Sequence, residues 1–391
     1  MKTRIEKLQE KLRSQNLDAL LISNFYNIAY LSGFSGVDPS HREAFFVASQ
    51  DNCYLLTNAL YSEEARNLFA VSCSLFAVIE INQEKKLQDR LLEIIKKEKI
   101  KKLAFEKYDL KYAEVEKFKK DSGHTSTTQY KARMTQVTLV PTENLVEDLR
   151  MIKDKTEIDA IKKACKLTDE TFSFIVSYLS NLSDLDSLKE TELAWEIEKY
   201  IRENGGQLAF SPIVAFGTHS SMPHYIPKLS FKDSQSLALE KKDMILLDFG
   251  AKIDGYCADM TRMIFVGNPT EKQKKMYQTV LSAQEKALEK LKKGNRNGQL
   301  LDTVAREVIE KSGYQAYPHS LGHGVGREIH EGFRLIKHKK FLLKPGMVFS
   351  IEPGYYEPGW SGIRIEDLVV LKEDGIEILT QSSKEIITIK L

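Results

Sequence analysis

The sequence predicts a mixed α+β protein of two domains, and two patterns support that prediction. Over the first 140 residues, short apolar runs alternate with amphipathic segments, as in a small α/β domain. After that, four longer amphipathic segments are separated by strand-like phrases that contain acidic residues. Because 391 residues exceed the usual size of one domain, we expect two, over residues 1–140 and 141–391.

The elements of the first domain follow from hydrophobic periodicity. Ile5, Leu8 and Leu12 repeat at helical spacing and predict an N-terminal helix. Apolar runs predict strands, and amphipathic runs predict helices. The strands cover residues 17–23, 45–49, 53–57, 75–81 and 102–106, and the helices cover 62–69 and 87–99. The sequence contains no phosphate-binding loop or metal-ligand spacing here, so it assigns this domain no chemistry.

The second domain is predicted to begin in a polar, β-branched stretch, residues 121–144, which holds Pro141 near its end. Its first helix has a loose capping box of Thr156 and Asp159. The four predicted helices share amphipathic spacing, and the last three end at glycine. They cover residues 158–179, 190–204, 270–293 and 298–312.

Composition excludes several classes of protein. The net charge is +2, from 57 basic and 55 acidic residues, so the chain lacks the excess of basic residues typical of nucleic-acid-binding proteins. The four cysteines form no C-x-x-C pair, which favours a reduced, cytoplasmic protein. We recognise no secretory signal and no apolar run long enough to span a membrane.

Five residues of metal-binding type lie in strand-like or glycine-flanked phrases of the second domain. They are Asp248, Asp259, His323, Glu352 and Glu366. Burying an unpaired carboxylate costs roughly 3 kcal/mol or more, or it forces the carboxylate to bind a proton. Two divalent cations would offset that cost for the whole set. The sequence therefore predicts a dinuclear metal site.

Each of these residues also has a plainer explanation when taken alone. Asp248 and Asp259, joined across a predicted Asp254-Gly255 hairpin, could be strand-end acids that face solvent. Glu366 has the same strand parity as Arg364, so the two could form a simple ion pair.

Histidines strengthen the metal-site interpretation. His323 lies between two glycines, which could bring the backbone close to an ion or substrate. His319 and His330 lie nearby, so three of the eight histidines fall within 12 residues. A glycine-rich turn with core histidines is the alternative.

The phrases ILLDFGAKIDGYCADM, HSLGHGVGREIHE, FSIEPG and IRIEDLVVL resemble those of the pita-bread metallopeptidases, with the five ligands in the family's order. The resemblance runs from about Thr156 to the end. Within that fold, the chain is most similar to the proline-specific branch, Xaa-Pro aminopeptidases and Xaa-Pro dipeptidases (prolidases). That branch carries an N-terminal creatinase-like α/β domain, and SNFYNIAYLSGFSG (23–36) resembles its opening.

The resemblance implies a role for each site residue. Asp248 would bind one metal, His323 and Glu352 the other, and Asp259 and Glu366 would bridge both. Glu352 would also shuttle the proton. The remaining residues would contact substrate or support the pocket, with His224 and His330 counted as catalytic. They are His224, His319, His330, Arg334 and Arg364, and Phe210 is a further candidate for the proline pocket. Tyr225 departs from the glycine common in the family, which affects the rim of the pocket.

The implied activity is hydrolysis of the bond between a first residue and a proline in second position. We expect a Xaa-Pro aminopeptidase, with Xaa-Pro dipeptidase as the alternative, because Arg334 could pair with a dipeptide's carboxylate or be a solvated charge. We expect two divalent ions per chain, Mn²⁺ or Co²⁺. We also expect a homodimer that binds neither nucleic acid nor membrane.

Two further functional classes remain open at this stage. One is a methionine aminopeptidase-like enzyme with an added domain. The other is a pita-bread binding protein without catalysis, but such proteins typically lose ligands, and all five are present here.

Overall fold

The computed structural model describes residues 3–39, 41–71, 76–120, 137–227, 239 and 243–390. The chain divides into two compact units, one up to Arg150 and one from Met151 onward. The predicted boundary stretch is residues 121–144. Its first part, residues 121–136, lies outside the described residues, and residues 137–144 are described. Its described end joins the sheet of the first unit, which therefore reaches beyond residue 140.

The first unit is a six-stranded mixed sheet with helices on both faces. Its strand order is β4-β3-β2-β1-β5-β6, with β1–β2 and β2–β3 antiparallel and the other pairs parallel. The strands are β1 (Ala19–Ile22), β2 (Ala44–Ser49), β3 (Cys53–Asn58), β4 (Ala77–Ile81), β5 (Lys102–Glu106) and β6 (Thr138–Thr142). The helices are α1 (Arg4–Ser14), α2 (Phe25–Ser32), α3 (Ala59–Val71), α4 (Leu87–Glu98) and α5 (Tyr112–Lys120).

Side-chain alternation along β1 shows how this unit is built. Leu20 and Ile22 join one apolar core, whereas Leu21 joins the core on the opposite face of the sheet. The predicted helix and strand positions agree with the structure. Two helices were not predicted, α2 and α5, because short segments give a weak periodic signal. Asn24 caps α2, and Gly33 ends it at a φ of 76°.

The second unit contains four long helices and several small sheets. A short helix, α6 (Glu147–Met151), precedes α7 (Lys155–Asn181), α8 (Glu190–Glu203), α9 (Glu271–Lys292) and α10 (Gly298–Lys311). The strands are β7 (Gln207–Leu208), β8 (Ile213–Phe216), β9 (Met244–Phe249), β10 (Ala251–Ile253), β11 (Tyr256–Cys257), β12 (Met260–Val266), β13 (Gly322–His323), β14 (Arg334–Leu335), β15 (Val348–Ile351), β16 (Gly354–Glu357), β17 (Ser361–Arg364), β18 (Asp367–Lys372), β19 (Gly375–Ile378) and β20 (Ile387–Ile389).

The two pairs of helices pack against the sheets of this unit. Phe172 of α7 and Ile197 of α8 share a core with Leu247, in the sheet ordered β20-β12-β9-β8. Leu288 of α9 shares a core with Phe349, in the sheet ordered β15-β18-β19. One helix of each pair, α7 and α9, also packs against the other sheet, so the helices hold the strands that carry the predicted ligands in one unit. Across the described part of the chain, the helices are too short or too polar to cross a membrane.

Two local predictions were wrong. The capping box of α7 consists of Asp154 and Glu157, each accepting the other's backbone N–H at 3.0 Å, whereas Thr156 bonds Asp154 through its hydroxyl. The phrase IRIEDLVVL is not one strand. It breaks after Arg364, so β17 and β18 pair in different sheets and Glu366 lies in the gap.

Candidate metal centre

The Asp254-Gly255 hairpin sets the first two acids beside each other. Asp254 and Gly255 turn the chain with φ values of 52° and 79° between β10 and β11. Beyond that hairpin β12 pairs with β9, so that Thr261 lies opposite Asp248, and Asp259 directly precedes β12. The predicted arrangement of Asp248 and Asp259 on neighbouring strands is confirmed.

The other three predicted ligands lie at or beside strand ends. His323 ends β13, Glu352 follows β15, and Glu366 occupies the gap between β17 and β18. The His323 Nε2 atom lies 3.5 Å from Asp259 Oδ2 and 3.3 Å from Glu352 Oε1. Ligand atoms of Asp259, His323 and Glu366 all lie within 4.8 Å of one another. The fold therefore gathers the sequence-predicted ligands into one cluster.

Burial makes this cluster electrostatically costly without cations. Removal from water and neighbouring carboxylates raise the pKa of Asp259 and Glu366 well above their usual range. Removal from water, opposed by Arg364, raises the pKa of Glu352 to about 8. Burial lowers the pKa of His323 to about 3, so its ring is neutral and can act as a ligand.

The atoms of the cluster fit bound cations. Within the described part of the chain, the buried Asp248 Oδ1 and Glu366 Oε1 atoms have no hydrogen-bond partner. His323 Nδ1 lies 3.2 Å from the Gly324 carbonyl, which leaves Nε2 directed at the carboxylates. Oxygen-rich ligands with one imidazole suit hard or borderline divalent ions.

A layer of hydrogen bonds orients the ligands. The Ser350 hydroxyl accepts from the His323 backbone N–H at 3.1 Å and donates to Glu352 at 3.1 Å. The Thr261 hydroxyl donates to Glu366 at 2.7 Å and accepts from Arg364 Nε at 3.0 Å. Sequence reasoning missed Ser350 and Thr261. Both are strand residues near a ligand, but only the fold shows which carboxylate they reach.

Arg364 binds a different acid from the one that strand parity indicates. Its Nη2 donates to Asp248 Oδ2 at 2.5 Å, and its Nη1 donates to the Tyr356 hydroxyl at 2.7 Å. It reaches Glu366 only through Thr261. The simple Arg364–Glu366 ion pair, considered as an alternative to a metal site, is not formed.

His319 belongs to this hydrogen-bonded layer. Its Nδ1 lies 2.8 Å from the Ser320 carbonyl and must donate, so Nε2 accepts from the Tyr356 hydroxyl at 2.9 Å. Burial lowers the pKa of His319 to about 3, which keeps the ring neutral. Tyr356 was missed by sequence reasoning, although its place two residues after the EPG phrase was a usable signal.

The glycines beside His323 serve strand packing. A Cβ atom on Gly322 would lie 1.8 Å from the Ser350 carbonyl oxygen, and one on Gly324 would lie 2.1 Å from the Glu331 carbonyl oxygen. The close approach predicted for these glycines is thus to neighbouring backbone. Their small size lets β13 lie against β15, which places His323.

His330 and His224 lie at the open side of the cluster. The His330 residue is exposed, and its ring meets the His323 ring edge-on at a centroid distance of 4.4 Å. Burial, followed by the charges of Arg334 and His224, lowers the pKa of His330. His224 is exposed in the loop after the short 3-10 turn Gly217–Ser221.

Arg334 lies opposite His323 in the antiparallel β13–β14 pair. Its side chain is exposed, and its charge lowers the pKa of both His323 and His330. Arg334, His319 and Tyr356 line one cavity of about 850 Å³. That volume is within the roughly 300–1,000 Å³ typical of small-molecule sites.

These features define a metallopeptidase, and the chain belongs to Metallopeptidase family M24, whose family model matches residues 159–373. The Creatinase/Prolidase N-terminal domain matches residues 4–152. The predicted pita-bread fold, with a creatinase-like domain before it, is confirmed, and so is the prediction that this protein is a hydrolase. The family depends on a dinuclear metal centre, in agreement with the buried cluster.

Relatives match over nearly the whole chain. The Xaa-Pro dipeptidase of Pyrococcus furiosus is 34% identical, covering 99% of this chain and 100% of the relative. The solved Xaa-Pro dipeptidase from Bacillus anthracis has a TM-score of 0.83 at 31% identity, covering 98% and 99% of the two chains. The X-Pro aminopeptidase from Thermotoga maritima MSB8 has a TM-score of 0.83 at 32% identity, covering 99% and 100%.

Proposed function

We propose that this chain is a Xaa-Pro dipeptidase, which cleaves dipeptides whose second residue is proline. The observation that carries this proposal is Arg334, which lies on the strand next to His323 and in the wall of the cavity. A guanidinium there can pair with the carboxylate that a dipeptide carries directly on its proline. Relatives named Xaa-Pro dipeptidase also favour this alternative over the aminopeptidase that the sequence first suggested.

The five clustered residues would hold two divalent ions, with Asp259 and Glu366 as the bridging carboxylates. Mn²⁺ or Co²⁺ is our proposal for the ions, since oxygen ligands dominate the set. When bound, such ions supply a water that is nucleophilic at neutral pH and polarise the scissile carbonyl.

The protein's own groups would manage the proton and the substrate. Glu352 would take a proton from the attacking water and deliver it to the proline nitrogen as the carbon–nitrogen bond breaks. Without that proton the proline would have to leave as an amide anion, so the delivery is required for the leaving group. His330, neutral near pH 7 because its pKa is lowered, would donate a hydrogen bond to the carbonyl oxygen as it gains negative charge.

The residues around the pocket have supporting roles in this proposal. His224 would contact the substrate from the exposed loop, and Phe210 is a further candidate for the proline pocket. His319 and Arg364 would act through Tyr356 and Asp248, because their polar atoms already bind those groups. We further propose a cytoplasmic homodimer.

Xaa-Pro aminopeptidase is the second candidate, favoured by the fit to the Thermotoga maritima enzyme. Product analysis separates the two. The metal-loaded protein is incubated with Leu-Pro and, separately, with Leu-Pro-Gly-Gly, and free leucine is measured over time. A dipeptidase releases leucine from Leu-Pro far faster than from the tetrapeptide. Equal or faster release from the tetrapeptide would establish the aminopeptidase.

A further inference from the structure

Glu190 is a buried carboxylate that lies outside the metal cluster. It is the first residue of α8, and its side chain is only 1% exposed. It accepts hydrogen bonds from the Phe216 backbone N–H at 2.7 Å and from the Tyr225 hydroxyl at 2.6 Å. His219 Nδ1 lies 2.9 Å from Oε1 and 3.1 Å from Oε2. A carboxylate this buried requires such partners, so the arrangement is specific.

All three partners belong to one short segment that carries His224. Phe216 ends β8 where the segment begins, His219 lies in the 3-10 turn, and Tyr225 directly follows His224. The rings of His219 and Tyr225 also stack, with centroids 4.5 Å apart. A single carboxylate thus ties the beginning, middle and end of the loop together.

Strand β17 holds the same loop from the other side. The Gly362 backbone N–H donates to the Ser220 hydroxyl at 2.7 Å, and the Ser361 hydroxyl donates to the Gly217 carbonyl at 3.1 Å. Arg364 donates to the Pro223 carbonyl at 3.3 Å while it binds Asp248. The peptide before His224 is therefore linked to Asp248. On the other side of His224, the Tyr225 backbone N–H donates to the Met222 carbonyl within the loop, and the Tyr225 hydroxyl links the loop to Glu190.

We propose that Glu190 is a positioning residue that fixes His224 for substrate binding through the hydroxyl of Tyr225 and the ring of His219. This inference rests on the proposed function, because it assigns His224 to the substrate. His224 is exposed, so its position depends strongly on the anchors on either side of it.

The size of the effect follows from the Tyr225 anchor. Burial and the hydrogen bond to Glu190 raise the pKa of the Tyr225 phenol, so it remains a donor at all relevant pH values. Losing a hydrogen bond to a charged acceptor shifts an equilibrium by about tenfold or more. If the ordered loop becomes that much less populated, the apparent affinity for substrate falls in proportion.

The test is Tyr225→Phe, which removes the hydroxyl and keeps the ring that stacks on His219. On the X-Pro substrate that the wild type hydrolyses best, we expect KM to rise about tenfold. We expect kcat per metal-loaded chain to stay within about twofold, with metal content unchanged. A merely structural defect would instead lower the active fraction and leave KM alone. Tyr200→Phe, on α8 and stacked on Phe174, is the matched control and should leave KM unchanged.

A double-mutant cycle shows whether the anchor acts through His224. Tyr225→Phe should add no further rise in KM in a His224→Ala background, because the positioned group is already absent. Glu190→Gln supplies a second variant, since its amide puts a donor where Tyr225 needs an acceptor, and it should also raise KM. An unchanged KM in Tyr225→Phe, or full additivity with His224→Ala, overturns the positioning role alone. A wild type inactive on both Leu-Pro and Leu-Pro-Gly-Gly overturns the proposed function as well.

Discussion

Glu366 and Asp367 are adjacent in the chain and equally buried, yet they have opposite electrostatic environments. Asp367 receives hydrogen bonds from Arg262 at 2.7 Å, Lys384 at 2.6 Å and Thr380 at 2.9 Å, and the two cations lower its pKa. Glu366 receives only the Thr261 hydroxyl, has one oxygen without a partner, and has a strongly raised pKa. One acid is satisfied by the protein itself, and the other must take up a proton or, as we propose, bind an external cation.

The number of cationic partners distinguishes a structural acid from a candidate metal ligand more clearly than burial does. Both side chains are at most 1% exposed. An acid with two cationic partners contributes to the fold, and its removal leaves buried charges behind. The four acids of the cluster have Arg364 among them, which binds Asp248 directly, and the charge of Arg334 also acts on Glu352.

Glu366→Gln tests the metal-binding role of Glu366 in this comparison and should have the largest effect on catalysis. If Glu366 bridges two ions, as we propose, its loss removes a ligand from both. We then expect no measurable turnover, a larger effect than the ~10–100-fold loss typical of residues that merely support a ligand. The fold should survive, since one buried charge is removed. Asp259→Asn should behave in the same way. Activity assays at saturating Mn²⁺, with circular dichroism, check this, and near-normal kcat would show that Glu366 is not a ligand.

Asp367→Asn is the matched change on the structural side. It leaves Arg262 and Lys384 without their counter-charge and should destabilise the protein by about 3–5 kcal/mol. Metal content of the folded fraction should not change. Urea unfolding and elemental analysis provide the two readings, and loss of metal without loss of stability would reverse the roles assigned to these neighbours.

His330→Ala tests a residue beside the cluster that is not counted among its ligands. We expect kcat to fall by ~10²–10³-fold, as for loss of a general acid or oxyanion donor, with unchanged metal content. Steady-state kinetics together with metal analysis measure both effects. If a metal ion is lost in this variant, His330 is itself a ligand.

Arg334→Ala sharpens the distinction between dipeptidase and aminopeptidase. A charge-assisted hydrogen bond contributes about 1.5–3 kcal/mol, so kcat/KM for Leu-Pro should fall by roughly one to two orders of magnitude. Leu-Pro-Gly-Gly should be affected little, because its carboxylate lies further from the scissile bond. The neighbouring surface variant Lys339→Ala should affect neither substrate. Equal, weak effects of Arg334→Ala on both substrates would show that Arg334 is a surface charge that does not bind the substrate.

The smallest expected effect is on thermal stability. Without metal, the raised pKa of Glu352 means that its contribution is fully present below about 4.5, its value in the unfolded chain, and is lost as pH rises through about 8. The melting temperature of the metal-free protein should therefore fall over this range, by a few degrees per kcal/mol. Adding Mn²⁺ should raise it more at pH 8 than at pH 5. Differential scanning calorimetry at both pH values checks this, and equal gains would contradict the electrostatic account.

The sequence predicted the parts of this molecule that local patterns encode. Apolar periodicity located most helices and strands, and the Asp254-Gly255 turn set Asp248 beside Asp259. The sequence could not show that the predicted strand IRIEDLVVL breaks after Arg364, because both sides of the break are apolar and buried. Nor could the sequence show what Thr261, Tyr356 and Glu190 bind, since their partners Glu366, His319 and Tyr225 lie 35 or more residues away. Long-range side-chain contacts of this kind arise only from the assembled fold.

Metal stoichiometry tests the central claim most directly, because the claim is that these buried acids are matched by external cations. The purified wild type is stripped with a chelator, reloaded with Mn²⁺, freed of excess metal, and measured by elemental analysis. The account predicts about two ions per chain, and fewer in Glu366→Gln, with no change in Arg334→Ala. A value near zero for the wild type, with no activity restored by any divalent ion, would contradict it.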